Sequence, residues 1–185
     1  GGGGLTISPG VAARVEDVLF DGARAVLGIL DGDQTWSGRI LVLGDVLAYA
    51  SDRKPAAMID LATLTGACMV ALGHYLTGVF GDDDALVSAT LSAARSAGEE
   101  FWRLPIADSQ KDALRSEVAD MKNSGERWGG AINAAVFLRE FVGKTPWVHL
   151  DIAGPSQSPK DRGYYIKGAT GVGVRTLVEL VRQRA

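Results

Sequence analysis

The side chains of this 185-residue chain that could do chemistry are few and dispersed. Glu16, Asp17 and Asp21 make one acidic group, and Asp31 and Asp33 another. Carboxylates hold hard cations when several converge on one ion. At a helix start or in an Asp-Gly-Asp turn they more often cap backbone and face water. His74 and His149 are far apart and neither belongs to a ligand pair with metal-site spacing. Cys68 lies in the apolar stretch Ala67 to Leu72 with no base near it in sequence, and reads as a core thiol rather than a nucleophile. Ser37 lacks the Gly-x-Ser-x-Gly frame of a nucleophile elbow. The loop Gly168 to Gly173 has neither the strand–glycine–helix spacing nor the lysine of a phosphate cradle.

The elements that must position these residues alternate between helical and strand periods, which is the pattern of an α/β layered fold. Val15, Val18, Leu19, Ala23, Val26 and Leu27 have helical spacing and predict a helix over Val11 to Leu30, ending in the Asp31-Gly32-Asp33 turn. A second helix is expected over Ile40 to Ala50, stopped by the Ser51 to Pro55 cluster. Ala56 to Leu61 reads as an interior strand leading into a loop at Thr63 to Gly66, and Val79-Phe80 as another short strand. Asp84 is expected to cap a helix over Ala85 to Glu99, followed by extended Trp102 to Pro105. Gly129-Gly130 precedes a helix with Ala131, Ala134, Ala135, Leu138, Phe141 and Val142 inward. Trp147 to Ile152 reads as a strand and Val174 to Arg182 as an amphipathic helix.

With 46% hydrophobic and 22% charged residues, the chain suits one globular domain with a substantial core. Its net charge is −3 and its basic residues are scattered, so nucleic acid is not an expected partner. The single cysteine excludes an internal disulfide and points to a reducing compartment, the cytoplasm. Gly1 to Leu5 shows no charged leader pattern, and no apolar run approaches the ~20 residues of a spanning helix, so no membrane is expected.

Six segments carry a closer resemblance. They are Asp60 to Ala67, Trp102 to Pro105, Ser116 to Asn123, Gly130 to Leu138, Trp147 to Gly154 and Gly168 to Leu177, and in their order and spacing the chain resembles the leucine (cytosol) aminopeptidase family. The resemblance implies a three-layer α/β/α fold with a central mixed sheet, here a shortened catalytic domain. It also implies two divalent cations, Zn or Mn, release of N-terminal residues such as Leu from peptides, and a homohexamer built from trimers. Residues 1–185 are then expected to form a single domain, in which 1–40 is a degraded metal-site region and 41–185 a well-matched core.

The same resemblance implies which residues should carry the chemistry. The family's Asp-Ser-Gly-Gly motif fits the frame of Gly1 to Ser8, which puts Gly1 at a metal-binding Asp and Ser8 at a catalytic Lys. Leu19 stands at the next metal-binding Asp. The hallmark Asn-Thr-Asp-Ala-Glu-Gly-Arg-Leu is reduced to Gln34 to Ile40 and fits in two registers. One puts Thr35 and Ser37 at the metal-binding Asp and Glu, and the other puts Trp36 and Gly38 there. Neither supplies a carboxylate. Arg39 in the first register matches the family's anion-holding arginine, the one catalytic candidate. Thr63, Leu64 and Gly66 match the substrate-contacting loop, and Ala153 the side-chain pocket.

A dinuclear peptidase keeps its cations ~3.5–4 Å apart and turns a bridging water into hydroxide. Two dications that close need several anionic oxygens, which Gly, Leu, Thr, Trp and Ser do not provide. The expectation is therefore a family domain with no metal ligands of its own and no cofactor, acting as a non-catalytic scaffold or fragment. The alternative is an active metallo-aminopeptidase, with a peptide substrate, whose ligands are rebuilt from the acidic residues of the first 33 positions.

Overall fold

Alternating short strands that are apolar on both faces need helices on both faces, and the chain supplies them. The computed structural model describes residues 13–20, 23–30, 36–123, 125 and 127–184. In chain order the elements are β1 (Ala13–Phe20), β2 (Ala23–Leu30), α1 (Trp36–Ser51), β3 (Ala57–Ala62), α2 (Gly66–Leu72), β4 (Thr77–Phe80) and α3 (Asp84–Ala97). There follow β5 (Phe101–Arg103), a 3-10 helix over Asp108–Leu114, α4 (Gly130–Arg139), β6 (Trp147–Asp151), β7 (Gln157–Ser158), β8 (Gly168–Ala169) and α5 (Val174–Arg184).

One mixed sheet runs in the order β1-β2-β3-β6-β4-β5. Its centre, β2, β3 and β6, is parallel, while β1 and β4 join antiparallel and β5 lies parallel to β4. Leu43 and Leu47 of α1 and Ala134, Phe137 and Leu138 of α4 pack on Met58, Ala62 and Trp147, forming one apolar layer. Leu86 and Val87 of α3, with Leu177 of α5, pack on Leu61, Val79, Val148 and Leu150 on the opposite face. The fold is the expected three-layer α/β/α with a mixed sheet.

The helix expected over Val11 to Leu30 is a β-hairpin, β1 and β2, with Phe20 paired to Ala23. Val15, Val18 and Val26 are β-branched, and Asp21-Gly22 is a favoured two-residue hairpin dipeptide. Pairing of β2 with β3 along Ala25 to Ile29 adds a full ladder, which outweighs a helical spacing of apolar residues. Residues 11, 12, 21 and 22 lie outside the described ones.

Smaller departures have local causes. Asp83, not Asp84, caps α3, its carboxylate accepting from the Leu86 amide at 2.7 Å, while Asp84 pairs with Arg103. That helix stops at Ala97 because Gly98 adopts the left-handed conformation (φ 70°) that suits glycine. Glu99 is thereby outside the helix and buried. The second helix, α1, starts at Trp36, ahead of the expected Ile40. The run after Gly66 forms the short helix α2, and Gly168-Ala169 pairs as strand β8 with β7.

Candidate functional site

In open α/β sheets, binding sites form where parallel strands end and their connections diverge. Here β3 ends at Ala62 and β6 at Asp151, register partners on neighbouring strands, and the Ile152 amide still reaches the Ala62 carbonyl at 2.9 Å. Beyond that point the ladder stops. Thr63 to Gly66 leaves β3 and Ala153 leaves β6 at the same place. A parallel crossover from β2 to β3 puts the first turn of α1, with Arg39, at this end of the sheet as well.

Thr65 caps α2, its hydroxyl oxygen accepting from the Cys68 amide at 3.0 Å. The same hydroxyl donates to Asp151 Oδ2 at 2.7 Å, and the Thr65 amide donates to that oxygen at 3.2 Å. The Ala153 amide donates to Asp151 Oδ1 at 3.1 Å. Burial pushes the Asp151 carboxyl above the usual carboxylate range, against the charge of His149 and these donors, which act the other way. Close backbone approach fixes the next turn: a Cβ on Gly154 would sit 2.2 Å from the Gly73 carbonyl, so only glycine fits there.

Of the expected pocket residues, Thr63 and Ala153 are half-buried, and Gly66 is exposed with open space where a Cβ would stand. Leu64 differs. Its side chain is 3% exposed and belongs to the core beside Leu43 and Leu47, so any contact it makes to a ligand is through backbone. The structure thus brings the four positions to one ledge, with three of them accessible.

His149 is not at this ledge. It lies in the sheet, buried, with Nδ1 2.6 Å from Asp60 Oδ1, while Trp147 Nε1 donates to Asp60 Oδ2 at 2.7 Å. The residue is a structural partner of Asp60. His74 is exposed and distant in sequence from any ligand partner. Cys68 is 1% exposed, and burial, with the charge of Asp151 adding to it, pushes its thiol up to about 12. It should therefore stay protonated and inert near neutrality. An aromatic disulfide reagent at pH 8 should label it at least about 100-fold more slowly in the native chain than in urea, because labelling must await opening. Native labelling at the unfolded rate would contradict the burial.

A second cluster was not legible in sequence. Arg175 of α5 reaches the hydroxyls of Tyr164 and Tyr165, and Tyr164 donates to the Gly98 carbonyl at 3.1 Å. Arg162 lies over the Tyr75 ring and pairs with Glu100 at 3.0 Å. Together these contacts tie residues 162–165 to Gly98 and Glu100 after α3, to Tyr75 and to α5. The only sequence signal was the Tyr164-Tyr165 pair, whose partners are Arg175, 10 to 11 positions on, and Gly98, 66 positions back.

A model of the cytosol aminopeptidase family, catalytic domain, matches residues 7–178. The chain belongs to this family. A probable cytosol aminopeptidase of Geobacter sp. (strain M21) is 50% identical over 175 residues, covering 95% of this chain and 35% of that relative. One of Synechococcus sp. (strain JA-3-3Ab) is 55% identical over 144 residues, covering 78% and 28%. Among solved structures, a mutant of tomato leucine aminopeptidase superposes with a TM-score of 0.75 at 42% identity, covering 88% of this chain and 31% of that one. The bottromycin maturation enzyme BotP in complex with Mn gives 0.78 at 39%, covering 89% and 36%. The chain spans about a third of the length of these relatives.

Membership in the cytosol aminopeptidase family implies divalent metal. Leu19 falls in β1, and Trp36, Ser37 and Gly38 open α1. Gly1, Ser8, Asp31, Asp33 and Thr35 lie outside the described residues. The residues that the resemblance puts at ligand positions in either register of the hallmark are not carboxylates. Among the described residues no group of three or more His, Cys, Asp or Glu side chains is placed to hold an ion. Among them, too, no helix is long and apolar enough to cross a membrane.

Proposed function

We propose that this chain is a cytosol aminopeptidase-family domain that keeps the fold and the substrate-facing ledge but has no competent dinuclear metal site, and serves as a non-catalytic scaffold. The observation that carries this reading is a mismatch within one site. Thr63, Gly66 and Ala153 line the ends of β3 and β6, whereas the positions that should bring anionic oxygens to them hold Gly1, Leu19 and either Thr35 with Ser37 or Trp36 with Gly38. Without anionic oxygens two close dications repel each other unscreened, and without a lysine at Ser8 the developing oxyanion loses its cation. Losses within one catalytic unit are not additive, so several together remove nearly all turnover. The ledge is read as a peptide N-terminus pocket, the assembly as a homo-oligomer of the family's hexameric kind, the whole of 1–185 as one domain, and the location as cytoplasm.

The test is a leucine amide hydrolysis assay with added Mn²⁺ or Zn²⁺, run beside metal analysis of the purified chain. The expected result is no turnover above blank, no stoichiometric metal, and a folded oligomer by sedimentation. Turnover that chelation abolishes and Mn²⁺ restores would instead support the second reading, an active enzyme with ligands rebuilt from Glu16, Asp17, Asp21, Asp31 and Asp33. Retention of Arg39 in the first turn of α1, at the same end of the sheet as the ledge, is the observation that favours that reading.

A further inference from the structure

We infer that Asp151 is the positioning residue of the ledge, a buried carboxylate that locks the Thr63 to Gly66 turn and the Ala153 turn to each other although no ligand can touch it. The inference rests on the reading of that ledge as a pocket. Asp151 has no exposed surface. It is the last residue of β6, opposite Ala62, the last residue of β3. Sheet hydrogen bonding between the two strands gives out one residue later, at the Ile152 to Ala62 bond. From there on, backbone groups of both turns need other acceptors, because unpaired buried donors are costly. The two carboxylate oxygens supply them on both sides, Oδ2 to the Thr65 amide and hydroxyl and Oδ1 to the Ala153 amide. Through Thr65 the same carboxylate sets the first turn of α2, since the Thr65 hydroxyl oxygen accepts from the Cys68 amide.

All three groups facing the side chain are donors, so it must accept in two opposite directions. Asparagine has the same shape but only one accepting atom, and its amide would point N–H at N–H on one side. A residue that merely filled space would tolerate this exchange.

The experiment compares native-state amide exchange in the parent chain, Asp151→Asn and Thr65→Val, and titrates each with L-leucinamide. In Asp151→Asn the amides of Thr65, Cys68 and Ala153 should exchange at least about tenfold faster, while the ladder amides of Met58 to Leu61 keep their rates. In Thr65→Val only the Cys68 side should loosen, with Ala153 still protected. Binding of L-leucinamide should weaken about tenfold or more in Asp151→Asn, because the two turns that form the ledge are no longer held in one arrangement. Unchanged exchange at Thr65 and Ala153, a uniform rise across β3 and β6, or equal leucinamide binding by parent and variant would overturn the inference. If Asp151→Asn does not fold, Thr65→Val decides, and a Cys68 amide that stays protected overturns it. A parent that does not bind L-leucinamide sinks the pocket reading, and the exchange pattern then still decides whether Asp151 locks the two turns.

Discussion

Asp60→Ala should cost the fold about 3–5 kcal/mol, since it strands buried partners of a charged group. Asp60 is 3% exposed and joins two donors on the neighbouring strand, Trp147 Nε1 and His149 Nδ1. The Trp147 and His149 rings stack 6.2 Å apart, Phe80 stacks with His149 at 5.8 Å, and all three are buried, so water does not readily replace the lost acceptor. Asp60→Asn keeps the volume and one acceptor and should lose about half as much. Urea melts with intrinsic Trp fluorescence measure both. The pH dependence should change as well. Burial disfavours the charged imidazole, but the charge and hydrogen bond of Asp60, with the charge of Asp151, outweigh it, so His149 holds its proton to higher pH than a free imidazole. A raised pKa contributes stability that is complete below the unfolded value of about 6.5 and is lost as pH rises through the folded value. The parent should therefore lose this contribution on going from pH 5 to pH 9. In Asp60→Ala the slope should flatten or reverse, because the ring keeps its burial and loses the hydrogen bond and the larger of its two counter-charges. A parent and variant with parallel stability curves between those limits would refute the account.

Why these contacts escaped the sequence is a question of range. Segments with a strong local signal were legible: Trp147 to Asp151 and α5 fall close to where their periodicity and punctuation put them, while α3 ends two residues early and α4 ends at Arg139, leaving Phe141 and Val142 inward but beyond the helix. Thr63, Gly66 and Ala153, which the resemblance singles out, all follow the paired ends of β3 and β6. The β1–β2 hairpin was missed because its apolar residues satisfy a helical period as well as a strand period. The Asp21-Gly22 dipeptide, not the spacing, was the deciding local signal. Leu64 needed a different kind of information. A matched position says which residue lies in a loop, but only the packing against Leu43 and Leu47 says that its side chain turns into the core. Asp60, Asp151 and Glu99 look alike in sequence, each a carboxylate near apolar residues. Their separate roles come from partners 74 to 89 positions away, which no local window contains.

Glu99 shows the same lesson with a large expected effect. Its carboxylate is almost fully buried, 1% exposed, and sits at the start of α5. Oε1 accepts from the Gly173 amide at 3.0 Å, and Oε2 accepts from the Thr176 amide at 3.1 Å and from the Thr176 hydroxyl. These are N–H groups that the first turn of a helix cannot satisfy itself, and the negative charge meets the positive end of the helix dipole. The residue just after one helix therefore caps another, and in doing so fastens α5 to α3 on the same face of the sheet. Glu99→Ala should lose about 3 kcal/mol, the cost of a charged acceptor whose donors remain buried. Glu99→Gln, which keeps one accepting oxygen but no charge, should lose about 1–2 kcal/mol. Amide exchange separates this from general weakening. Thr176 and Leu177 should be released far more than the β6 ladder, because the cap acts on the end of α5 and leaves the sheet intact. If both variants melt like the parent, the carboxylate does not cap α5, and the packing of Leu177 against the sheet is what holds that helix.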